Sequence, residues 1–461
     1  MDSGLTKGVQ TLLGDPKRAI LKFSGPMIVG MLVQALYNIV DGIWVAGLGS
    51  DALAAIGLFF PLFMVIISLA VGVGIGGSST ISRRIGAREK ERASSAASHT
   101  MFLGFIVGIA ITVGFYPFIR NIFELIGAKG NVSDLVVSYS KVLIGGSVFI
   151  VFSNISSGIL RGEGDMKRAM YAMMLGSGLN IILDPIFIYT LKLGVVGAAW
   201  ATLASIFITS LLMVYWLFFK KDTYIDVRPV PSHFDAAITK EILRVGIPSS
   251  FAQLSMSVAV FILNAIIVGV GGSDGIAVYT SAWRILMIGI VPLLGIATGV
   301  TAVTGAAYGA GDMVKLKTGY MYGVKIGVVV ELAVLSIILL LAHQLSYIFT
   351  YSKGAAHISD SLTTAFRVLA WFLPTVPLGM LTSSMFQGIG KGEYSLAVTI
   401  LRTVIFQVAF SYLLGITFGY GIRGVWWGIV FGNVIASVVS FSWGRFTIAR
   451  LQRKMLDVPP V

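Results

Sequence analysis

Apolar runs of 18 or more residues recur from one end of this chain to the other, each long enough to cross about 30 Å of hydrocarbon. Inside hydrocarbon every backbone polar group must be satisfied internally, which leaves helices or closed barrels. Continuous apolar runs, without the alternation of strands, specify helices. Charged residues are 12% of the 461, against about 25% in soluble domains, so most side chains never meet water. The 54 glycines suit close helix packing in lipid rather than loops. There is no cysteine, and the four histidines (His99, His233, His343, His357) show no metal-ligand spacing. Disulfides, thiolate catalysis and cysteine-based metal sites are therefore excluded, and no cofactor is expected. The first 16 residues are polar and show no cleavable signal pattern.

The hydropathy pattern predicts an all-α membrane protein of twelve spans. They run roughly over 17–46, 51–81, 93–118, 132–160, 166–190, 194–219, 240–270, 274–306, 316–345, 358–388, 393–418 and 424–450. The longest polar interruption falls mid-chain and holds Arg228, Pro229 and Pro231. It divides the chain into an N-terminal six-helix lobe (1–219), a linker (220–239) and a C-terminal six-helix lobe (240–461). Net charge is +13. In a soluble protein such a balance suggests nucleic acid, but here the cations cluster between spans. One set of ends carries Lys17, Arg18, Arg83, Arg84, Lys167, Arg168, Lys220, Lys221 and Arg453, while the opposite set holds few, such as Arg120, Lys129 and Arg423. The positive-inside bias therefore predicts that both termini are cytoplasmic.

The two halves resemble each other. Gly72–Ala87 aligns with Gly295–Ala310, and Gly49-Ser50-Asp51 with Gly272-Ser273-Asp274. Leu160–Gly164 aligns with Phe386–Gly390, and Gly194 through Trp200 with Gly421 through Trp427. Four matches in one order at nearly constant offset mark an internal repeat. With six spans per half, both halves insert the same way round, and repeats of that kind typically hold substrate between them.

Polar residues present in one half alone are the functional candidates. Gly30, Gln34, Tyr37, Asn38 and Asp41 form one stripe on the first span. Asp184 lies in the fifth span, with Asn180 and Ser177 one and two turns before it, and Thr202 lies in the sixth. Their repeat counterparts near Gln407, Ser411 and Ile429 carry no acid. Counted at 1.5 Å per residue, Asp41, Asp184, Thr202 and Tyr139 fall at about one depth. A carboxylate costs about 2.5–3.5 kcal/mol in a membrane and is rarely idle. Apart from Lys141, no basic residue of the first half lies at that depth. Asp41, Asn180, Asp184 and Thr202 can carry a proton or coordinate Na+ through oxygen. Pro26 can hinge the first span, although its counterpart Pro248 gives it an architectural reading as well. Met173, with Met27, Met31 and Met174, can line an adaptable cavity or simply pack. Arg284 and Glu331 are ionisable residues of second-half spans with no evident partner. The stretch Gly388–Lys391 lacks the first glycine and the hydroxyl residue of a phosphate loop, so transport must draw on an ion gradient.

These residues resemble the multidrug and toxic compound extrusion (MATE) family over essentially the whole chain. The sharper marks are Pro26 with Gln34, Tyr37, Asn38 and Asp41, then Arg161–Asp165, then Leu179-Asn180 with Asp184-Pro185. The acid pair in the first half is similar to the DinF-like branch, and the composition to prokaryotic, archaeal members. The resemblance implies a monomeric plasma-membrane exporter, not an enzyme, that exchanges amphipathic, often cationic organic compounds for H+ or Na+. It places the cation site at Asp41, Asn180, Asp184 and Thr202, surrounded by Gln34, Tyr37, Asn38, Tyr139 and Ser177. A flippase of a lipid-linked precursor is the alternative; it would need cations such as Arg284 to hold a pyrophosphate.

Overall fold

A computed structural model describes residues 5–231, 233–352 and 354–456. Sixteen α-helices follow one another among them. They are α1 (Lys7–Leu13), α2 (Pro16–Ala46), α3 (Ser50–Gly86), α4 (Lys90–Phe115), α5 (Ile119–Leu125), α6 (Gly130–Gly145), α7 (Ser147–Glu163) and α8 (Met166–Pro185). Then come α9 (Gly194–Val214), α10 (Ala236–Gly309), α11 (Met313–Thr350), α12 (Ser359–Leu369), α13 (Val376–Gly388), α14 (Gly392–Ile400), α15 (Gln407–Tyr412) and α16 (Gly421–Leu456). Ten helical stretches are long and apolar enough to cross a membrane, and the bent pair α6–α7 makes an eleventh. The 74 residues of α10 are two helices that meet at Gly272, where φ is 60°. Counting those arms separately recovers the twelve expected spans.

The boundaries differ from expectation where backbone chemistry intervenes. The fourth span is not one rod: α6 and α7 meet at 50° around Gly146. The tenth is interrupted by a 3-10 stretch, Ala370–Thr375, because Pro374 lacks the N–H that an α-helical turn requires. In α2, Pro26 likewise leaves the Lys22 carbonyl without its helical donor, and the helix nevertheless runs on unbroken to Ala46.

The chain forms two compact units, one of Met1–Gly14 with Val29–Ser250 and the other of Asp15–Ile28 with Phe251–Val461. The chain passes between them inside α2 and again inside α10, each time two residues beyond a proline, Pro26 and Pro248.

The internal repeat is written into the backbone of each unit. Positive φ occurs at Gly49 and Gly272, at Gly164 and Gly390, and at Gly194 and Gly421. It recurs at two pairs that the sequence alignment passed over, Arg88 with Gly311 and Lys192 with Gly419. Each unit also carries a π-helical turn before its last long helix, Ile186–Thr190 and Leu413–Thr417. The close approaches repeat too: a Cβ on Gly197 would lie 2.5 Å from the Phe187 carbonyl oxygen, and one on Gly424 would lie 2.3 Å from that of Leu414.

Within the first unit, α3 and α7 touch backbone to backbone at Gly74 and Gly158. The segment after α9 is pinned to α4 and α7 by its own N–H groups. Tyr224 donates to Glu163 (2.8 Å), Asp226 to the Ser94 hydroxyl (3.0 Å), Arg228 to that of Ser98 (2.9 Å) and Asp235 to His99 Nε2 (2.8 Å). His99 Nδ1 lies 2.8 Å from the Ser95 carbonyl, so the proton belongs on Nδ1 and Nε2 is the acceptor.

Gly158→Ala would set a Cβ 2.6 Å from the Gly74 carbonyl oxygen, an overpacking worth about 1–3 kcal/mol. Gly178→Ala meets no atom within 4 Å and should gain about 0.5–1 kcal/mol of helix propensity. Thermal unfolding in detergent should place the first variant below the wild type and the second at or above it.

Candidate functional site

Six of the polar residues singled out in the first half converge inside the first unit. Asp165 opens α8 by accepting the Arg168 N–H at 3.1 Å, and from that start the helix carries Ser177, Asn180 and Asp184 along one face at turn spacing. All three are buried, Asp184 completely. Opposite them, α9 supplies Thr202. The Asn180 amide sits between Asp184 and Thr202. With its NH2 toward Asp184 it donates to Oδ2 at 2.8 Å, and its oxygen then accepts from the Thr202 hydroxyl at 3.1 Å and the Thr202 N–H at 3.2 Å. In the opposite orientation the amide oxygen would face the carboxylate oxygen, which no uncharged, unbridged site tolerates.

From α2, the Asp41 carboxyl reaches that of Asp184. Tyr37, one turn before Asp41, places its hydroxyl beside Thr202 and close to both acids. Tyr139 of α6 closes the group; it is 9% exposed and its ring meets Phe59 of α3 edge-on at 5.3 Å. Phe59 drew no notice in the sequence, since one aromatic in an apolar span carries no distinguishing pattern. No lysine or arginine pairs with Asp41 or Asp184 among the described residues, and Lys141 is exposed. The second oxygen of Asp184, Oδ1, is buried with no hydrogen-bond partner. Two carboxyl groups in contact, with no basic partner among the described residues, require a proton or a cation between them.

Other candidates lie around this group. Gln34 and Asn38 are exposed on α2 and form no hydrogen bond among the described residues. Met173 packs at the same seam: a Cβ on Gly30 would lie 3.4 Å from its sulfur and 3.4 Å from the Met170 Cα, so Gly30 brings α2 against α8. Farther along, the Tyr189 hydroxyl donates to the Trp44 carbonyl at 2.6 Å and holds the far end of α2 to the turn after α8. In the second unit Glu331 of α11 is wholly buried and neither carboxyl oxygen has a partner, while Arg284 of α10 is exposed.

The repeat explains why the acids have room in one unit alone. In the second unit a Cβ on Gly428 would lie 2.4 Å from the Ser411 Cα, and one on Gly432 would lie 2.6 Å from the Phe406 carbonyl oxygen. There α16 lies flush on α15 and the turn before it. The corresponding first-unit residues, Ala201 and Ser205, are buried and carry side chains where the second unit has glycine. Ser411 stands where Asp184 would, Gln407 where Asn180 would, and Ile429 where Thr202 would.

Asn180→Leu leaves a buried carboxyl oxygen of Asp184 unpartnered and should cost about 1–3 kcal/mol. Asn180→Leu/Asp184→Leu should cost less than the sum of the single changes, since the Asn180–Asp184 hydrogen bond is then lost from both sides and neither of its two partners is left unpaired by the other's removal. Thermal melts of the three variants check this.

Comparison with known proteins accords with this architecture. The MatE family model matches residues 26–186 and 248–413, two copies that begin at Pro26 and Pro248. The chain is 28% identical over 428 residues, 92% of each chain, to the multidrug export protein MepA of Staphylococcus saprophyticus. Among solved structures, it superposes with a TM-score of 0.95 on the outward-facing conformation of a multidrug resistance MATE family transporter of the MOP superfamily, at 55% identity over 97% of this chain and 99% of that one. A MOP superfamily transporter from Pyrococcus furiosus, for which a reverse polarity of the binding pocket suggested a different function, matches at 56% identity and TM-score 0.94 over 97% of this chain and 99% of that one. The chain therefore belongs to the MatE family of multidrug efflux transporters, and it is a multi-pass membrane carrier rather than an enzyme.

Proposed function

We propose that this protein is a secondary antiporter that exports amphipathic, often cationic organic compounds against H+ or Na+, with the coupling site in the N-terminal half. The observation that carries this reading is the contact between the Asp41 and Asp184 carboxyls, which have no basic partner among the described residues. Such a site must bind a positive charge, and the bound charge is exchangeable because nothing covalent supplies it. A proton, a sodium ion and an organic cation then compete for one pair of acids, and competition of this kind is what antiport requires.

The four oxygen-bearing residues serve both coupling ions. With a proton shared by the acids, Asn180 donates to Asp184 and accepts from Thr202. With Na+ present, the amide turns its oxygen to the carboxylate, and Asp41, Asp184, Asn180 and Thr202 offer the hard oxygen ligands such a cation takes. Tyr37, Tyr139, Ser177 and Met173, with Gln34 and Asn38 on the exposed stripe, line the path by which substrate reaches the acids. A change in the protonation of the pair changes the force between α2 and α8, and the helix bends near Pro26, where one helical hydrogen bond is already missing. Both termini lie in the cytoplasm, a reading the positive-inside bias supports, and the carrier works in the plasma membrane. The two-unit chain works as a monomer, and its single acid pair fits the DinF-like branch and an archaeal source.

A second reading is a flippase of a lipid-linked precursor. Arg284 favours it, because this cation is exposed on α10 with no ion pair among the described residues; for the Pyrococcus furiosus relative, a reverse polarity of the binding pocket has suggested a different function. The acid pair weighs against it, since an anionic headgroup is repelled there.

Proteoliposomes loaded with a fluorescent organic cation decide between the readings. Wild type should move the dye when a pH gradient or a Na+ gradient is imposed, and Asp41→Asn should reduce that movement at least about tenfold, equivalent to about 1.4 kcal/mol. Dye movement by Asp41→Asn at the wild-type rate contradicts the coupling scheme. Silence under both gradients, with gradient-independent movement of a lipid pyrophosphate that Arg284→Ala abolishes, supports the flippase.

A further inference from the structure

At the charge-rich end of the second unit, the first turns of α11 and the last turns of α16 enclose a notch that the transport reading does not use. It is lined by Lys317, Met321, Arg445, Ile448, Ala449 and Gln452 and has a volume of about 60 Å³. A water needs about 10–15 Å³ by this measure, so the notch admits a group of four or five heavy atoms. Its walls combine two cationic side chains and an amide with an apolar floor, Ile448 being 3% exposed. Neither Lys317 nor Arg445 forms an ion pair with an acid among the described residues. Asp312 at the same end is engaged as the cap of α11, accepting the Lys315 N–H at 2.8 Å. The Tyr320 hydroxyl beside Arg445 is held by Thr382 at 2.7 Å.

The notch sits where α16 leaves its apolar run. Val438, on the same face and two turns before Arg445, is 52% exposed, and Phe431, two turns deeper again, is 45% exposed. At 1.5 Å per residue these lie about 10 and 21 Å from Arg445, which covers the depth of one leaflet, about 15 Å. On α11, Leu332 continues the outward apolar flank at 46% exposure. Phe446, beside Arg445, is 68% exposed, as befits an aromatic ring at a membrane interface.

We infer that this notch binds the phosphate of an anionic membrane phospholipid, with Lys317, Arg445 and Gln452 holding the headgroup and the lipid's chains lying along Val438 and Phe431. Basic pockets between helices at the charge-rich face take anionic headgroups in this manner. The tapering from cations to exposed apolar side chains matches a lipid, whereas a free phosphate would have no use for the apolar track.

Native mass spectrometry of the full-length protein with phosphatidylglycerol or phosphatidylcholine, and with inorganic phosphate as competitor, tests the assignment. Wild type should retain phosphatidylglycerol in preference to phosphatidylcholine. Lys317→Ala/Arg445→Ala should bind it roughly 30-fold more weakly, while Arg453→Ala/Lys454→Ala, which removes equal charge outside the notch, should change binding by less than about threefold. Ala449→Trp fills the notch without touching a charge and should reproduce the loss, which keeps the test intact if the double variant does not fold. Equal loss in both charge variants, undiminished binding by Ala449→Trp, or displacement of the lipid by inorganic phosphate each overturns the inference.

Discussion

A carboxyl group buried in a hydrocarbon-spanning helix must be neutralised, and most of what distinguishes the two halves of this protein follows from how that is done. Asp184 is wholly buried. One of its oxygens is served by the Asn180 amide, its partner acid is Asp41, and no basic side chain pairs with either among the described residues. A structural ion pair would have settled the cost permanently and made the site inert. A carboxyl pair settles it only while a proton or cation is present, so the site is occupied or empty according to the solution around it. The proposed coupling role rests on that dependence.

The same seam in the second unit shows the alternative outcome of an otherwise repeated fold. There Gly428 and Gly432 let the helices meet backbone to backbone, which strengthens packing and leaves no room for a hydrated acid. Small residues give tight association in membranes. The first unit has Ala201 and Ser205 at these positions, so the glycine-mediated backbone contacts of the second unit are not available there. The two units thus share their turns, π-helical bulges and glycine contacts but divide the labour: one seam is packed shut and the other holds ionisable oxygens.

Much of this was legible in the sequence because it rests on periodicity. Depth counting brought Asp41, Asp184, Thr202 and Tyr139 to one level, helical spacing put Tyr37 and Asn180 one turn from the acids, and the structure gathers these six side chains. Gly49 and Gly272 announced their turns because only such residues adopt positive φ freely. Other features were hidden. The pinning of the segment after α9 depends on Ser94, Ser98, His99 and Glu163 accepting backbone N–H groups, and single polar residues near helix ends look the same whether they meet solvent or a loop. The bend at Gly146 was obscured because one apolar run covers both α6 and α7. The passage of the chain between units inside α2 and α10 has no marker except the two prolines, and a proline alone signals a kink as readily as a boundary.

If the substrate and the coupling ion share the Asp41–Asp184 pair, binding of one must release the other, and proton release on substrate binding reads this out. Purified protein in weakly buffered detergent solution is mixed with an organic cation, and the pH is followed. The account predicts that wild type releases protons on binding and that Asp41→Asn/Asp184→Asn does not; for a sodium-coupled protein, the same experiment in saturating Na+ should show the cation displacing bound Na+ instead. Tight binding of the organic cation by wild type with neither proton release nor Na+ displacement would contradict it.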